Sequence, residues 1–129
     1  MPSAFLCVPA SPEHVRTARV VAVAAARRAG LDEERVDDVR LAVGEVVGAM
    51  VVGRGDPSGL GEIELVLRDE HSAFEVEVVE RLGAPRADGA AQPPPDPGDE
   101  SLALALVRAL VPEVRVDGPS TTLSWPREA

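Results

Sequence analysis

The sequence predicts an α+β fold, a two-layer sandwich in which helices cover one face of a mixed, largely antiparallel five-stranded sheet. The hydrophobic periodicity gives the element order β-α-α-β-β-α-β-β, which lacks the regular alternation of a parallel α/β fold. Two central strands, 62–68 and 74–80, carry apolar residues at every second position with mostly charged residues between them, so each has one buried and one solvated face. The length of 129 residues predicts a single domain over residues 1–129 with its own core.

The composition limits the classes of function. The net charge of −9 argues against non-specific nucleic-acid binding, which requires clustered positive charge, and it suits either a basic protein partner or solubility alone. No segment has the length of a membrane span, and the N-terminus lacks a signal-peptide pattern, so we expect a cytoplasmic protein with no membrane partner. The single cysteine, Cys7, excludes an internal disulfide, and we expect it to be a buried small hydrophobe.

The first strand is predicted over residues 4–8, before Pro9. A helix follows, because Ser11 is a suitable N-cap residue with Pro12 at the first helical position, and Gly30 suits the C-cap. Small residues form the stripe predicted to pack closely: Val15, Ala18, Ala22, Ala25 and Ala29. Further valines, at 20, 21 and 23, make a second apolar side, so we expect burial between the sheet and another helix or at a subunit interface.

The second helix begins after a capping Asp32 and ends near Gly53. Its buried stripe follows the spacing of three and four residues that one helix face requires: Val36, Val39, Val43, Val46 and Met50. Glu45 lies among apolar neighbours, so its carboxylate either reaches solvent from the edge of the stripe or is held at a site.

The remaining elements follow the hairpin formed by strands 62–68 and 74–80. Residues 82–100, rich in Pro and Gly, are predicted to be a lid-like loop. A third helix is predicted over 101–110, before Pro112, with Leu102, Leu106 and Ala109 as its buried stripe. Strands 114–116 and 121–125 are joined by a turn.

Residues 41–50, Leu-Ala-Val-Gly-Glu-Val-Val-Gly-Ala-Met, resemble the first nucleotide-binding helix of the GHKL (Bergerat-fold) ATPases. The closest branch is the anti-sigma-factor serine kinases, in which the helix reads roughly L-A-V-S-E-L-V-T-N-A. There the Glu polarises the attacking hydroxyl and the Asn holds Mg²⁺ against the phosphates. Glu45 matches the Glu, whereas Ala49 stands at the Asn position, and the sequence contains no Asn. The resemblance extends over nearly the whole chain and implies the histidine-kinase-like fold.

Two further family motifs have altered counterparts. The family's D-R-G-P-G motif corresponds to the segment that begins at Glu80, which replaces the adenine-binding Asp, and Gly83 substitutes for a Gly in a shifted register. A strand end followed by a polar turn is the alternative interpretation. The G-R-G-L motif, whose glycines cradle phosphates at a helix N-terminus, corresponds to the segment from Gly98 to Ser101, where acids at 99 and 100 would repel a triphosphate.

These departures lead to three functional hypotheses. The first is a regulatory protein-binding module that binds a sigma factor or a STAS-domain anti-sigma antagonist in a partner-switching circuit. It would have no cofactor and no metal, and Glu45 would be a vestigial base. The second is an active ATP-dependent anti-sigma serine/threonine kinase with Mg-ATP as cofactor, Glu45 as base and the metal held by Glu45, Glu80 or water. The third is another role on the same fold, such as a small-ligand sensor or a structural subunit. The family resemblance and the small-residue first helix also suggest a homodimer.

Overall fold

A computed structural model describes residues 3–54, 61–81 and 102–127. The elements in chain order are β1 (Ser3–Pro9), α1 (Glu13–Arg28), α2 (Glu33–Arg54), β2 (Glu62–Asp69), β3 (Ala73–Arg81), α3 (Leu102–Leu110), β4 (Glu113–Asp117) and β5 (Ser120–Pro126). The strands form one sheet in the order β1-β2-β3-β5-β4, and each neighbouring pair is antiparallel. The three helices pack against this five-stranded sheet, which confirms the predicted α+β architecture.

The core lies between the sheet and the helices. Strand register places the inward residues of the central hairpin opposite one another, with Leu65 across from Val78 and Leu67 across from Val76. These four side chains are almost fully buried, as the period-two pattern predicts. The predicted α2 stripe is also confirmed, because its four valines are buried and Met50 packs against the core.

The connection between α1 and α2 is short and well capped. The N–H of Leu31 donates to the carbonyl of Ala26, and the N–H of Gly30 donates to Arg27, which is the Schellman pattern. Gly30 has a φ of +86°, a conformation that L residues rarely adopt. Asp32 then caps α2 by accepting a hydrogen bond from the N–H of Arg35 at 2.8 Å. Because the link is this short, α1 and α2 lie beside each other.

The predicted cap at the start of α1 is wrong. Pro12 occupies the N-cap position, and no side chain caps the helix there. The hydroxyl of Ser11 instead donates to the carboxylate of Glu13 at 3.2 Å. The Ser11 carbonyl accepts the N–H of His14, so the chain turns into the helix through backbone hydrogen bonds.

Two predictions of burial are also wrong. Cys7 is exposed on the open face of the sheet, where its thiol donates to Glu62 at 3.2 Å. This hydrogen bond and the neighbouring negative charge raise the pKa of the Cys7 thiol. In α3 the supposed stripe points outward, with Leu102 82% exposed, whereas Val107 is the buried residue. A run that is apolar at nearly every position does not indicate which face is covered.

The open face of the sheet is lined by ion pairs across the strands. Arg68 contacts Glu77 at 2.5 Å, and Arg81 contacts Glu64 at 2.5 Å. The Arg68 guanidinium, with a second hydrogen bond from the Ser120 hydroxyl, lowers the pKa of Glu77. The negative charges of the carboxylates on this face are therefore largely balanced by the positive charges of the guanidinium groups.

Candidate functional site

The predicted nucleotide-binding residues of α2 lie on the side of the helix that is turned away from α1. Gly44 marks the α1 side, because a Cβ built on it would lie 3.0 Å from Cδ of Arg19. Glu45 and Ala49 lie roughly 100° and 140° further around the helix axis. Glu45 is exposed and Ala49 is half-buried one turn beyond it. The Glu45 side chain thus reaches solvent at this point of the helix.

Glu80 lies on the helix side of the sheet. Its register partner on β2 is Ile63, which is fully buried beneath the helices, and paired residues share a face. The Glu80 side chain is half-buried, and its backbone N–H donates to the carbonyl of Pro119 at 3.0 Å. The structure thus places Glu80 and α2 on the same side of the sheet. Gly83, Gly98, Ser101 and the predicted lid-like loop at 82–100 lie outside the described residues.

The chemistry available on this face of α2 is limited. An exposed carboxylate at Glu45 can accept a proton or a hydrogen bond, but the methyl group of Ala49 has no donor atom for a metal. No three His, Cys, Asp or Glu side chains within residues 3–54, 61–81 and 102–127 are grouped so that they could hold a metal ion. Ala49 therefore supplies no metal ligand at this turn of the helix, and Glu45 is the one carboxylate of the predicted pair.

A second feature lies on the opposite side of α2, in the crevice between α1 and α2. We call it the arginine groove, with a volume of about 410 Å³. Four of its seven lining residues are arginines; the lining consists of Arg16, Arg19, Val20, Val23, Ala24, Arg27 and Arg40. This groove is not among the sites predicted from the sequence. The available signal was the spacing of positions 16, 19, 20, 23, 24 and 27, which share one helix face.

The charge of the arginine groove is only partly compensated. Arg40 contacts Asp37 at 2.7 Å, and Arg27 contacts Glu33 at 3.3 Å. Within the described part of the chain, neither Arg16 nor Arg19 forms an ion pair. On a chain with a net charge of −9, the groove is therefore a local positive surface.

No helix within the described ranges has both the length and the apolar character that crossing a bilayer requires. This finding concerns only those ranges.

Known proteins were compared with the chain in sequence and in fold. The search of curated proteins gives no match. The fold is similar to the crystal structure of the RsbU and RsbW domains of Rv1364c from Mycobacterium tuberculosis, with a TM-score of 0.66 and 20% sequence identity. That similarity covers 100% of this chain and 34% of the other, so this chain spans about a third of its length. Residues 8–125 match the family model of the histidine kinase-like ATPase domain. The match extends over nearly the whole chain, which therefore belongs to the histidine kinase-like ATPase domain family.

Proposed function

We propose that this chain is a regulatory protein-binding module of the anti-sigma type, with little or no binding of ATP. It acts in a partner-switching circuit by binding a sigma factor, a STAS-domain antagonist, or both in turn. Membership of the histidine kinase-like family and the similarity to a structure that contains an RsbW domain support the regulatory role.

The observation that carries the proposal is Ala49, which follows Glu45 by one turn of α2. The carboxylate that resembles the family's base is exposed to solvent, and one turn further along the helix there is a methyl group in place of the metal-holding amide. Mg²⁺ requires oxygen ligands in near-ideal octahedral geometry. Without the amide ligand, the metal would be coordinated mainly by water and phosphate oxygens. We therefore expect the affinity for Mg-ATP to fall.

The arginine groove supplies a docking surface that does not depend on nucleotide. It lies on the α1 side of α2, whereas Glu45 and Ala49 are turned away from α1. The side chain of Arg19 packs over the backbone of Gly44. It is exposed and has no ion-pair partner in the described part of the chain. A carboxylate of a bound protein would form a charge-assisted hydrogen bond with such a guanidinium.

Two measurements test the proposal. Calorimetry with Mg-ATP should give no low-micromolar binding, and capture from a lysate of the source cells followed by mass spectrometry should identify a sigma factor or a STAS-domain protein. Arg19→Glu should abolish capture, because it places a carboxylate opposite the partner's carboxylates. The matched control is Arg35→Glu, an exposed arginine on α2 outside the groove, which should capture the partner as wild type does. Low-micromolar Mg-ATP affinity, or capture that survives Arg19→Glu, would contradict the proposal.

The alternative is an active serine/threonine kinase. The exposed carboxylate of Glu45 favours it, because a base must be accessible to the hydroxyl from which it takes a proton. In that case the purified protein would transfer phosphate from Mg-ATP to its captured partner, and Glu45→Gln would abolish transfer without changing capture.

A further inference from the structure

A second groove adjoins the arginine groove along α1, where the two share Val20 and Ala24, and it lies between this helix, β1 and the end of the β2–β3 hairpin. We call it the apolar groove. Its volume is about 390 Å³, within the range of small-molecule sites. Val20, Val21 and Ala25 of α1 form one wall, and the ring of Phe74 lies at the base. Phe74 itself is 1% exposed, so the base of the groove is part of the core.

Polar groups lie at one end of the apolar groove. There Arg28 of α1 and Asp69 of β2 are both lining residues. Asp69 is already neutralised, because Arg127 contacts its carboxylate and also donates to the carbonyl of Ala29 at 2.8 Å. Arg28 has no ion-pair partner within residues 3–54, 61–81 and 102–127. The groove thus combines an apolar trough with one uncompensated cation.

We infer that the apolar groove binds a small free carboxylate with an unbranched alkyl chain. The guanidinium of Arg28 would pair with the carboxylate, and the chain would lie along α1 over Phe74. The nine residues from Val20 to Arg28 are separated by eight helical steps and span roughly 12 Å along the helix, about the extended length of a ten-carbon chain. The positive charge of Arg28 therefore favours a carboxylate over a neutral ligand, and the length of the groove favours a long alkyl chain over a short one.

The probes are decanoate and 1-decanol, which have the same chain and differ in charge, each used below the concentration at which it self-associates. Calorimetry should show saturable binding of decanoate, with 1-decanol at least tenfold weaker. The emission of Trp125, the single tryptophan, should change on binding because its ring lies 6.1 Å from that of Phe74.

Variants separate the specific site from general attraction of an anion. Arg28→Gln should weaken decanoate binding about tenfold, while Arg16→Gln, which removes the same charge from the arginine groove, should change it less than twofold. Ala25→Leu should fill the trough and abolish binding, with melting temperatures confirming that each variant is folded. Equal loss in both arginine variants, or equal affinity for decanoate and 1-decanol, would overturn the inference. If a second copy of the chain occupies the groove instead, decanoate will not bind and the protein will be a dimer that Ala25→Arg dissociates. That result would also overturn the inference.

Discussion

Gly44 and Gly48 offer a sharp test of how Arg19 is held, because they lie one turn apart in the same helix. A Cβ at Gly44 would lie 3.0 Å from both Cδ and Nε of Arg19, whereas a Cβ at Gly48 would have no neighbour within 4 Å. Replacing a helical Gly by Ala stabilises by about 0.8–1.0 kcal/mol through helix propensity. Gly48→Ala should gain that amount and raise the melting temperature by about 3–5 °C.

Gly44→Ala should gain much less. The same propensity term applies, but Arg19 must move by a few tenths of an ångström, and an off-rotamer side chain costs about 0.5–1.5 kcal/mol. The net change in the free energy of unfolding should therefore be near zero. Because the guanidinium of Arg19 is displaced in the arginine groove, partner capture should also weaken in Gly44→Ala and stay unchanged in Gly48→Ala.

The assay is thermal and urea denaturation followed by circular dichroism, together with partner capture, for the wild type and the two variants. An equal gain in stability for Gly44→Ala and Gly48→Ala would show that Arg19 is not held against Gly44. Partner capture at the wild-type level by both variants would likewise contradict a role for the position of Arg19.

Three further predictions concern single side chains. Glu45→Gln should change stability by less than about 0.5 kcal/mol and leave partner capture intact, because the side chain is exposed; a phosphorylated partner formed only by wild-type protein would contradict this. Arg127→Gln should lower the free energy of unfolding by about 1–2 kcal/mol, because the carbonyl of Ala29 and the carboxylate of Asp69 both lose the Arg127 guanidinium as a hydrogen-bond donor. This range allows for solvent screening, since the Arg127 side chain is one-third exposed. An unchanged urea midpoint would refute this prediction. The lowered pKa of Glu77 means that its ion pair with Arg68 stabilises the fold above the unfolded-state value of 4.5 and is lost as pH falls through the lower folded-state value. Glu77→Gln should therefore reduce the loss of stability on acidification, and parallel curves for variant and wild type would contradict this.

The sequence by itself determined the features that depend on local geometry. Ile63, Leu65 and Leu67 stand at every second position, which predicts both the strand and its buried face because side chains in any strand alternate. The relation between Glu45 and Ala49 follows from the helical period alone. Gly30 and Asp32 likewise act through backbone conformation and hydrogen bonds within a few residues.

Only the tertiary structure decided which of several apolar or charged faces is covered. The run that contains Cys7 and the helix that contains Leu102 are apolar at nearly every position, so no periodicity separates the inner from the outer side. The arginine groove exists because α2 packs beside α1 and brings Arg40 near arginines that are distant in sequence. The apolar groove similarly needs the hairpin residue Phe74 beneath α1. A local period fixes the direction of a side chain relative to its own backbone, whereas burial depends on what the rest of the chain packs against it.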